Sequence, residues 1–394
     1  MKLTTRGKPL GIRARIVARV SREPVLEATL RPETVFVPAD TLPLSEWNTI
    51  EGYRAILSHA EAHEVAAALT PSVVPMVHSA DVDHLRTGDI VTLAADGFVR
   101  TVYRPDSSSN TLFATDRCNS NCLMCSQPPK DADDSYRIEE NIEIIRLIKP
   151  QPEYLGITGG EPTLLGEGLF RQLEALRGHL PGTHVHILTN GRRFAWPDFT
   201  QRFAEIGHSL VSLGIPLYAD NAADHDYVVQ ACGAFDQTMI GLHRLAEHRQ
   251  NVEIRVVLHA LTIGRLRALV EFIYRNIPFA NHVALMGLEI TGYTPHNMAC
   301  LWVDPYEYQS ELLSATAFLA NRGMNVSIYN HQLCVLEPQL WPFARRSISD
   351  WKNIYVEECE LCLLRSKCGG LFKSSQERHS AHIRPFLDAS YLSP

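Results

Sequence analysis

Three cysteines within eight residues, Cys118-Asn-Ser-Asn-Cys122-Leu-Met-Cys125, constrain this chain more than any other stretch. Cysteine holds 9 of 394 positions. At that frequency a C-x3-C-x2-C pattern is expected about 0.005 times by chance. Thiolates crowded on one loop bind soft metals, and three of them hold three corners of an iron–sulfur cubane, leaving one iron without a protein ligand. Structural zinc takes four protein ligands, so a solitary trio suits it less; zinc and unligated thiols stay open as alternatives. A second set, Cys334, Cys359, Cys362 and Cys368, lies near the C-terminus, and Cys232 and Cys300 read as single buried thiols. Four cysteines close either a tetrahedral zinc site or a fully ligated [4Fe–4S] cluster, and their spacing does not separate the two. Arg365 and Lys367 would offset thiolate charge in either.

An odd cysteine count and an N-terminus without an apolar run argue against a secreted disulfide framework. With 37 Lys+Arg against 44 Asp+Glu, the net charge is −7. That balance, with no long basic run, disfavours nucleic acid as a partner. No stretch approaches the roughly 18 apolar residues of a membrane span. The expectation is a soluble, cytoplasmic protein with no membrane partner.

The middle of the chain alternates strand and helix patterns. Strands are expected over 111–115, 154–158, 184–189, 210–215, 252–259 and 282–290. Helices are expected over 136–149, then one with Leu169, Leu173, Leu176 and Leu180 on one face, then over 235–248, 266–276 and 304–321, the last capped by Asp304 ahead of Pro305. Such repeats imply an α/β fold, a partial (β/α)6 barrel of parallel strands with helices outside. Ligands gather at the C-terminal ends of such strands. The expected organisation is a β-rich accessory module over 1–105, the partial barrel over 111–321 and a cysteine-rich extension over 322–394. In the first module, strands are expected over 12–20, 34–37, 89–93 and 97–103, a helix over 61–69 and a hairpin turning at Asp96-Gly97. Residues 104–110 read as a linker. In the extension, a strand is expected over 325–329.

Cys118-x3-Cys122-x2-Cys125 resembles the signature of the radical SAM superfamily, and Ile157-Thr158-Gly159-Gly160-Glu161-Pro162 is similar to that family's GGEP segment. The resemblance implies a [4Fe–4S] cluster on the trio and S-adenosylmethionine at its open iron, with Gly159, Gly160 and Glu161 at the methionine amino group. It also implies Met124 facing the adenine, with core packing as the alternative. The resemblance further implies an electron donor that reduces the cluster and a reductive cleavage that gives a 5′-deoxyadenosyl radical. Across its length the chain is similar to radical SAM maturases of His-Xaa-Ser repeat systems, on Thr115–Lys130, Gly159–Pro162 and the tail from Tyr329 through Cys368-Gly-Gly. That likeness implies a ribosomally made precursor peptide, a companion radical SAM maturase and a second [4Fe–4S] cluster, or zinc, on Cys334, Cys359, Cys362 and Cys368. Rival readings are a radical SAM enzyme of a small metabolite or RNA, and a non-catalytic cluster- or zinc-binding adaptor.

Four further residues are cofactor candidates. Asn190 ends the third strand, where contact with S-adenosylmethionine and a plain Asn-Gly turn are the alternatives. Ser212 is read as lying near the end of the fourth strand, within reach of the cofactor's carboxylate or ribose, although relatives continue Ser-x-Asp-Gly where this chain has Ser212-Leu-Gly-Ile-Pro. Arg255 stands in for an arginine that relatives place after a His-Asp pair, with a simple salt bridge as the alternative. Glu289 faces the cavity or forms a structural ion pair. His225-Asp226 is expected to organise a loop.

Overall fold

The computed structural model describes residues 2–38, 51–59, 74–349 and 352–388. The chain divides into two compact units, one of residues 1–113, 136–156 and 171–184, the other of 114–135, 157–170 and 185–394.

The first unit is built on strands β1 (Thr4–Arg6), β2 (Lys8–Leu10), β3 (Ile16–Ser21), β4 (Thr34–Phe36), β5 (Ala55–Leu57), β6 (Met76–His78), β7 (Ile90–Leu93) and β8 (Phe98–Tyr103). Their order in the sheet is β1-β8-β7-β3-β4-β5-β6-β2. The two terminal strands are halves of one segment, β1 pairing antiparallel with β8 and β2 with β6, so the sheet closes on itself at Gly7. A Cβ on Gly7 would lie 2.4 Å from the His78 carbonyl oxygen, and one on Gly97 2.1 Å from the Gly7 carbonyl oxygen. Only glycine allows the closure. Inside lie fully buried Val35, Ala55, Leu57, Val77, Val91 and Leu93.

The expected hairpin at Asp96-Gly97 forms, with the Ala94 N–H donating to the Phe98 carbonyl at 2.8 Å. Strands β1, β2, β5 and β6 have three residues each, too few for alternation to reveal them. The expected helix over 61–69 lies outside the described residues. Residues 104–110 are a folded turn rather than a linker. Arg104 is buried with its guanidinium on Asp89 at 2.7 and 3.1 Å, and the Asn110 side chain bonds both the N–H and the carbonyl of Arg104. A buried ion pair and an Asn-closed turn outweigh the Pro and Ser composition. This unit also holds β9 (Thr111–Phe113), α1 (Tyr136–Leu147), the start of β10 (Tyr154–Thr158) and most of α2 (Glu167–His179).

The second unit carries a parallel sheet in chain order: the end of β10, then β11 (His184–Leu188), β12 (Val211–Pro216), β13 (Asn251–Leu258), β14 (His282–Gly287), β15 (Val326–Tyr329) and β16 (Ala344–Arg345). Helices α3 (Pro197–Glu205), α4 (Ala222–Val229), α5 (Ala234–Glu247), α6 (Leu266–Asn276) and α7 (Gln309–Ala320) intervene. In β13, buried Val252, Ile254, Val256 and Leu258 alternate with half-buried Glu253, Arg255 and Val257. The apolar row packs the sheet, and the polar row lines its other face. The fold is the expected α/β class with an open parallel sheet, consistent with a partial barrel.

The strand expected in the C-terminal segment continues this sheet as β15 beside β14. Asp304 caps as expected, accepting the Tyr306 N–H at 3.0 Å, but a 3-10 turn over Pro305–Tyr308 precedes α7. A two-residue ribbon, β17 (Asn353–Ile354) with β18 (Leu371–Phe372), follows. Among the described residues no helix is long and apolar enough to cross a membrane.

Candidate functional site

The stretch 114–130 carries the cysteine trio and is gripped along its backbone. Asp134, itself buried, accepts from the Thr115 hydroxyl at 3.0 Å and the Asp116 N–H at 2.5 Å. The turn after β10 closes from the other side: the Gly160 N–H donates to the Thr115 carbonyl at 2.7 Å and the Glu161 N–H to the Arg117 carbonyl at 2.8 Å. Gly159 has φ +149°, and a Cβ there would sit 2.5 Å from the Thr115 oxygen; on Gly160 it would sit 2.1 Å from the Arg117 oxygen. The glycine pair thus permits close approach of the chain's own backbone, where the sequence pointed to a ligand.

Glu161 is fully buried and accepts four hydrogen bonds, from the Thr163 N–H (2.9 Å) and hydroxyl (2.5 Å), the Thr189 hydroxyl (2.7 Å) and the Asn190 N–H (2.6 Å). Burial pushes its carboxyl up, and the hydroxyl and N–H donors work against that push. Its carboxylate ties the turn to the end of β11. Beyond that strand, Asn190 Nδ2 donates to Asn119 Oδ1 at 2.6 Å, so the side chain is engaged within the cysteine loop. Arg192 follows, donating to the Asn119 carbonyl, to Ser120 Oγ at 3.0 Å and to Gln237 Oε1 at 2.8 Å.

The far end of the loop is held by α4 and by the segment after β14. The Asn121 and Leu123 N–H groups donate to Val229 and Val228, each at 3.0 Å, and the Tyr293 N–H donates to the Cys125 carbonyl at 2.9 Å. Asn297 Nδ2 reaches the Leu123 carbonyl at 2.8 Å, and a Cβ on Gly292 would lie 2.1 Å from the Cys125 oxygen. The three cysteines are half-buried free thiols. Burial pushes Cys118 up to about 11, Cys122 up to about 12 and Cys125 upward as well. Each of Cys118 and Cys122 is raised further by neighbouring trio thiols, and Arg192 opposes the push at Cys122. Without a metal these groups stay protonated at neutral pH; a thiophilic cation replaces those protons, so the donor set fits an iron–sulfur cluster. Among the described residues no three His, Cys, Asp or Glu side chains converge on one point as a mononuclear site requires. Cubane ligands bind separate irons.

The remaining candidates separate. Met124 packs with Tyr218, Val228, Val229, Ala234 and Leu301, the core-packing alternative. Ser212 is the second residue of β12, at the end away from the cysteine loop, and its hydroxyl bonds His186 Nδ1 at 2.9 Å. The expected strand bounds were close; the side chain sits at the wrong end for the cofactor contact expected. Arg255 pairs with Glu253 at 2.6 Å, and Glu253 also meets His282 Nδ1 at 2.7 Å and His186 Nε2 at 3.5 Å. Burial pushes Glu253 up, but the two histidines and Arg255 outweigh it and hold the carboxyl well below the carboxylate range. Glu289 pairs with Lys352 at 3.3 Å. His225-Asp226 lies in α4 rather than a loop, because Asn221 caps that helix. There Asp226 accepts the Gly233 and Phe235 N–H groups at 2.5 and 2.8 Å. Cys232, expected to be buried, is exposed on the turn between α4 and α5, and Cys300 is half-buried.

Cys334, Cys359, Cys362 and Cys368 line one cavity, with Tyr355, Arg365, Arg384 and Phe386 among its walls. The Leu333 N–H donates to Cys368 Sγ at 3.5 Å and the Phe386 N–H to Cys362 Sγ at 3.4 Å, an arrangement that stabilises thiolates. Burial pushes Cys334 up to about 11 and raises Cys359. Four sulfurs on one cavity, with N–H donors and two arginines, fit the separate irons of a cluster rather than one ion at a single point.

Sequence reasoning missed Asp134, Arg192 and Tyr218. Tyr218 is buried, and its hydroxyl is pushed up by burial and then by the trio thiols. A polar side chain directly after the Asn190-Gly191 turn was the available signal for Arg192.

The model of the Radical SAM superfamily matches residues 112–273. A search of the curated proteins finds no match. Among solved structures, Streptococcus suis SuiB bound to S-adenosylmethionine is similar at 16% identity over 55% of this chain and 49% of that one, with a TM-score of 0.43. Histidine-tagged anSMEcpe with bound AdoMet is similar at 17% identity over 55% and 61%, TM-score 0.44. Coproporphyrinogen III oxidase (HemN) from Escherichia coli is similar at 13% identity over 56% and 54%, TM-score 0.42. The chain thus spans about half to three-fifths of the length of these structures.

Proposed function

We propose, from the premise that residues 112–273 are a radical SAM domain, that this protein cleaves S-adenosylmethionine reductively and modifies a ribosomally made precursor peptide. The observation that carries this reading is convergence: the Cys118/Cys122/Cys125 loop is bonded directly to Gly160 and Glu161 after β10 and to Asn190 after β11. Cys118, Cys122 and Cys125 would hold a [4Fe–4S] cluster, which would supply the one-electron chemistry for cleaving S-adenosylmethionine and so for removing a hydrogen atom from the peptide. The chain's own part is to hold the three sulfurs in place. Asp134 fixes the entry to the loop, Glu161 fixes the glycine turn against it, and α4 with the segment after β14 fixes its exit. Rigid framing of this kind shields a radical site from side reactions.

The four-cysteine cavity is proposed to hold a second [4Fe–4S] cluster, zinc being the other outcome of metal analysis. Such a cluster would accept the electron released when the peptide radical is oxidised. A companion radical SAM maturase of a His-Xaa-Ser repeat system and an external electron donor complete the proposed partners. The test is anaerobic reconstitution, then incubation with S-adenosylmethionine and dithionite. 5′-Deoxyadenosine should form in wild type and not in the Cys118/Cys122/Cys125→Ala triple variant; absence in wild type overturns the reading. Small peptides encoded beside the gene, added to the mixture, should become lighter by a pair of hydrogens, and an unchanged mass with all of them rejects the peptide substrate.

A further inference from the structure

We propose that Arg192 is a positioning residue for the cysteine trio, clamping the residues between Cys118 and Cys122 and setting a fixed positive charge beside the cluster bound there. This rests on the trio being a cluster site, as proposed above. Arg192 is the first residue after the Asn190-Gly191 turn, and its own N–H is fixed by Asn190 Oδ1 at 3.1 Å. Its Nε is anchored on Gln237 of α5 at 2.8 Å, which orients the guanidinium. One terminal nitrogen then serves both the Asn119 carbonyl and Ser120 Oγ, the latter at 3.0 Å. Asn119 is held a second time through its side chain by Asn190 at 2.6 Å.

Among the described residues, the acceptors of this guanidinium are all neutral: an amide oxygen, a hydroxyl and a carbonyl. A half-buried arginine is ordinarily matched by a carboxylate, and among the described residues this one has none. Three thiolates with a cluster are anionic and become more so on reduction, which supplies the missing counter-charge. A positive charge at this position favours the reduced state. Lysine keeps the charge but not the rigid fork that serves Gln237 and the loop together.

The test uses full-length wild type, Arg192→Gln and Arg192→Lys. Redox titration of the reconstituted proteins, followed by electron paramagnetic resonance, reads the charge. At the wild-type midpoint the reduced-to-oxidised ratio should fall roughly tenfold in Arg192→Gln and stay near wild type in Arg192→Lys. Alkylation of the metal-free proteins, mapped by mass spectrometry, reads the clamp. The trio should label several-fold faster in Arg192→Gln, less so in Arg192→Lys, with Cys334, Cys359, Cys362 and Cys368 unchanged as the control for global unfolding. Equal potentials and equal labelling in Arg192→Gln overturn the proposal. If wild type itself takes up no cluster, the radical SAM reading and the electrostatic half both fall, while alkylation still decides the clamp.

Discussion

The trio and the quartet of cysteines belong to the same unit and are similarly half-buried, yet the contacts that hold them differ in emphasis. Around the trio the protein grips backbone: Thr115, Arg117, Asn121, Leu123 and Cys125 all bond through main-chain groups to neighbouring segments. The Cys125 sulfur donates to the Gln127 carbonyl at 3.0 Å, as a thiol rather than a thiolate does. Around the quartet the protein grips sulfur, with main-chain N–H groups aimed at Cys362 and Cys368 inside one cavity. A framed loop fixes where its sulfurs stand, which suits a cluster shared with an outside ligand. A cavity that donates to its sulfurs suits a group that exchanges only electrons. On the proposed function, the difference would place the chemistry at one site and electron handling at the other.

The largest effect that could break this assignment comes from removing one ligand at each site. Cys122→Ala should lower 5′-deoxyadenosine formation by more than about a hundredfold, beyond what losing a group behind a ligand costs. Cys362→Ala should lose iron from the quartet while still cleaving S-adenosylmethionine. Equal loss of cleavage in both variants would mean that the sites do not divide the work. Next comes the frame itself. Glu161→Ala strands four donors, three of them buried, on Thr163 (two), Thr189 and Asn190, and should cost about 3–5 kcal/mol in urea unfolding of the metal-free protein. A loss under about 1 kcal/mol would show that the turn stands without its carboxylate.

The trio and its glycine turn were legible in the sequence because ligation and close backbone approach impose local spacing. The residues that frame the loop were not. Asp134 and Arg192 are ordinary polar residues whose partners lie 19 and 72 positions away, at Thr115 and Ser120. Alternation in β13 marks Glu253 and Arg255 as one face, but strand register decides that Glu253 stands opposite His282. The same register puts Ser212 at the start of its strand, so its hydroxyl meets His186 instead of a cofactor. In the first unit, closure of the sheet depends on two three-residue strands flanking Gly7, below the length at which a period can be read.

A third prediction concerns pH, to which both frames should respond alike. His225, beside Tyr218 on the trio side, and His331, which accepts from the Tyr308 hydroxyl at 2.9 Å on the quartet side, are each pushed down to about 4 by burial. Unfolded histidine titrates near 6.5, so between those values the unfolded chain binds protons that the folded protein refuses. Stability is therefore full above about pH 6.5 and is lost as pH falls toward 4, by up to about 1.4 kcal/mol per pH unit for each histidine. Urea midpoints of metal-free protein at pH 7.5, 6 and 5 check this. His331→Gln should flatten the profile, and a slope identical to wild type would remove His331 from the account.

The smallest effect separates the two sites most finely. Phe386 donates its N–H to Cys362 Sγ, accepts the Leu363 N–H at 2.9 Å and sets its ring edge-on to Trp341 with centroids 5.2 Å apart. Trp341 in turn donates through Nε1 to the Leu333 carbonyl at 3.1 Å, and the Leu333 N–H serves Cys368. The ring contact thus connects the two N–H donors aimed at quartet sulfurs. Phe386→Ala forfeits an aromatic pair of about 1 kcal/mol, enough to open the tail roughly fivefold more often. Alkylation of Cys334, Cys359, Cys362 and Cys368 in metal-free protein should accelerate by that factor, while Cys118, Cys122 and Cys125 keep their wild-type rates. Acceleration at both sets would show that the tail supports the whole unit and that the grip on sulfur is not local. Acceleration at neither would mean that the cavity is closed by the cysteine segment itself, leaving Phe386 only to cover it.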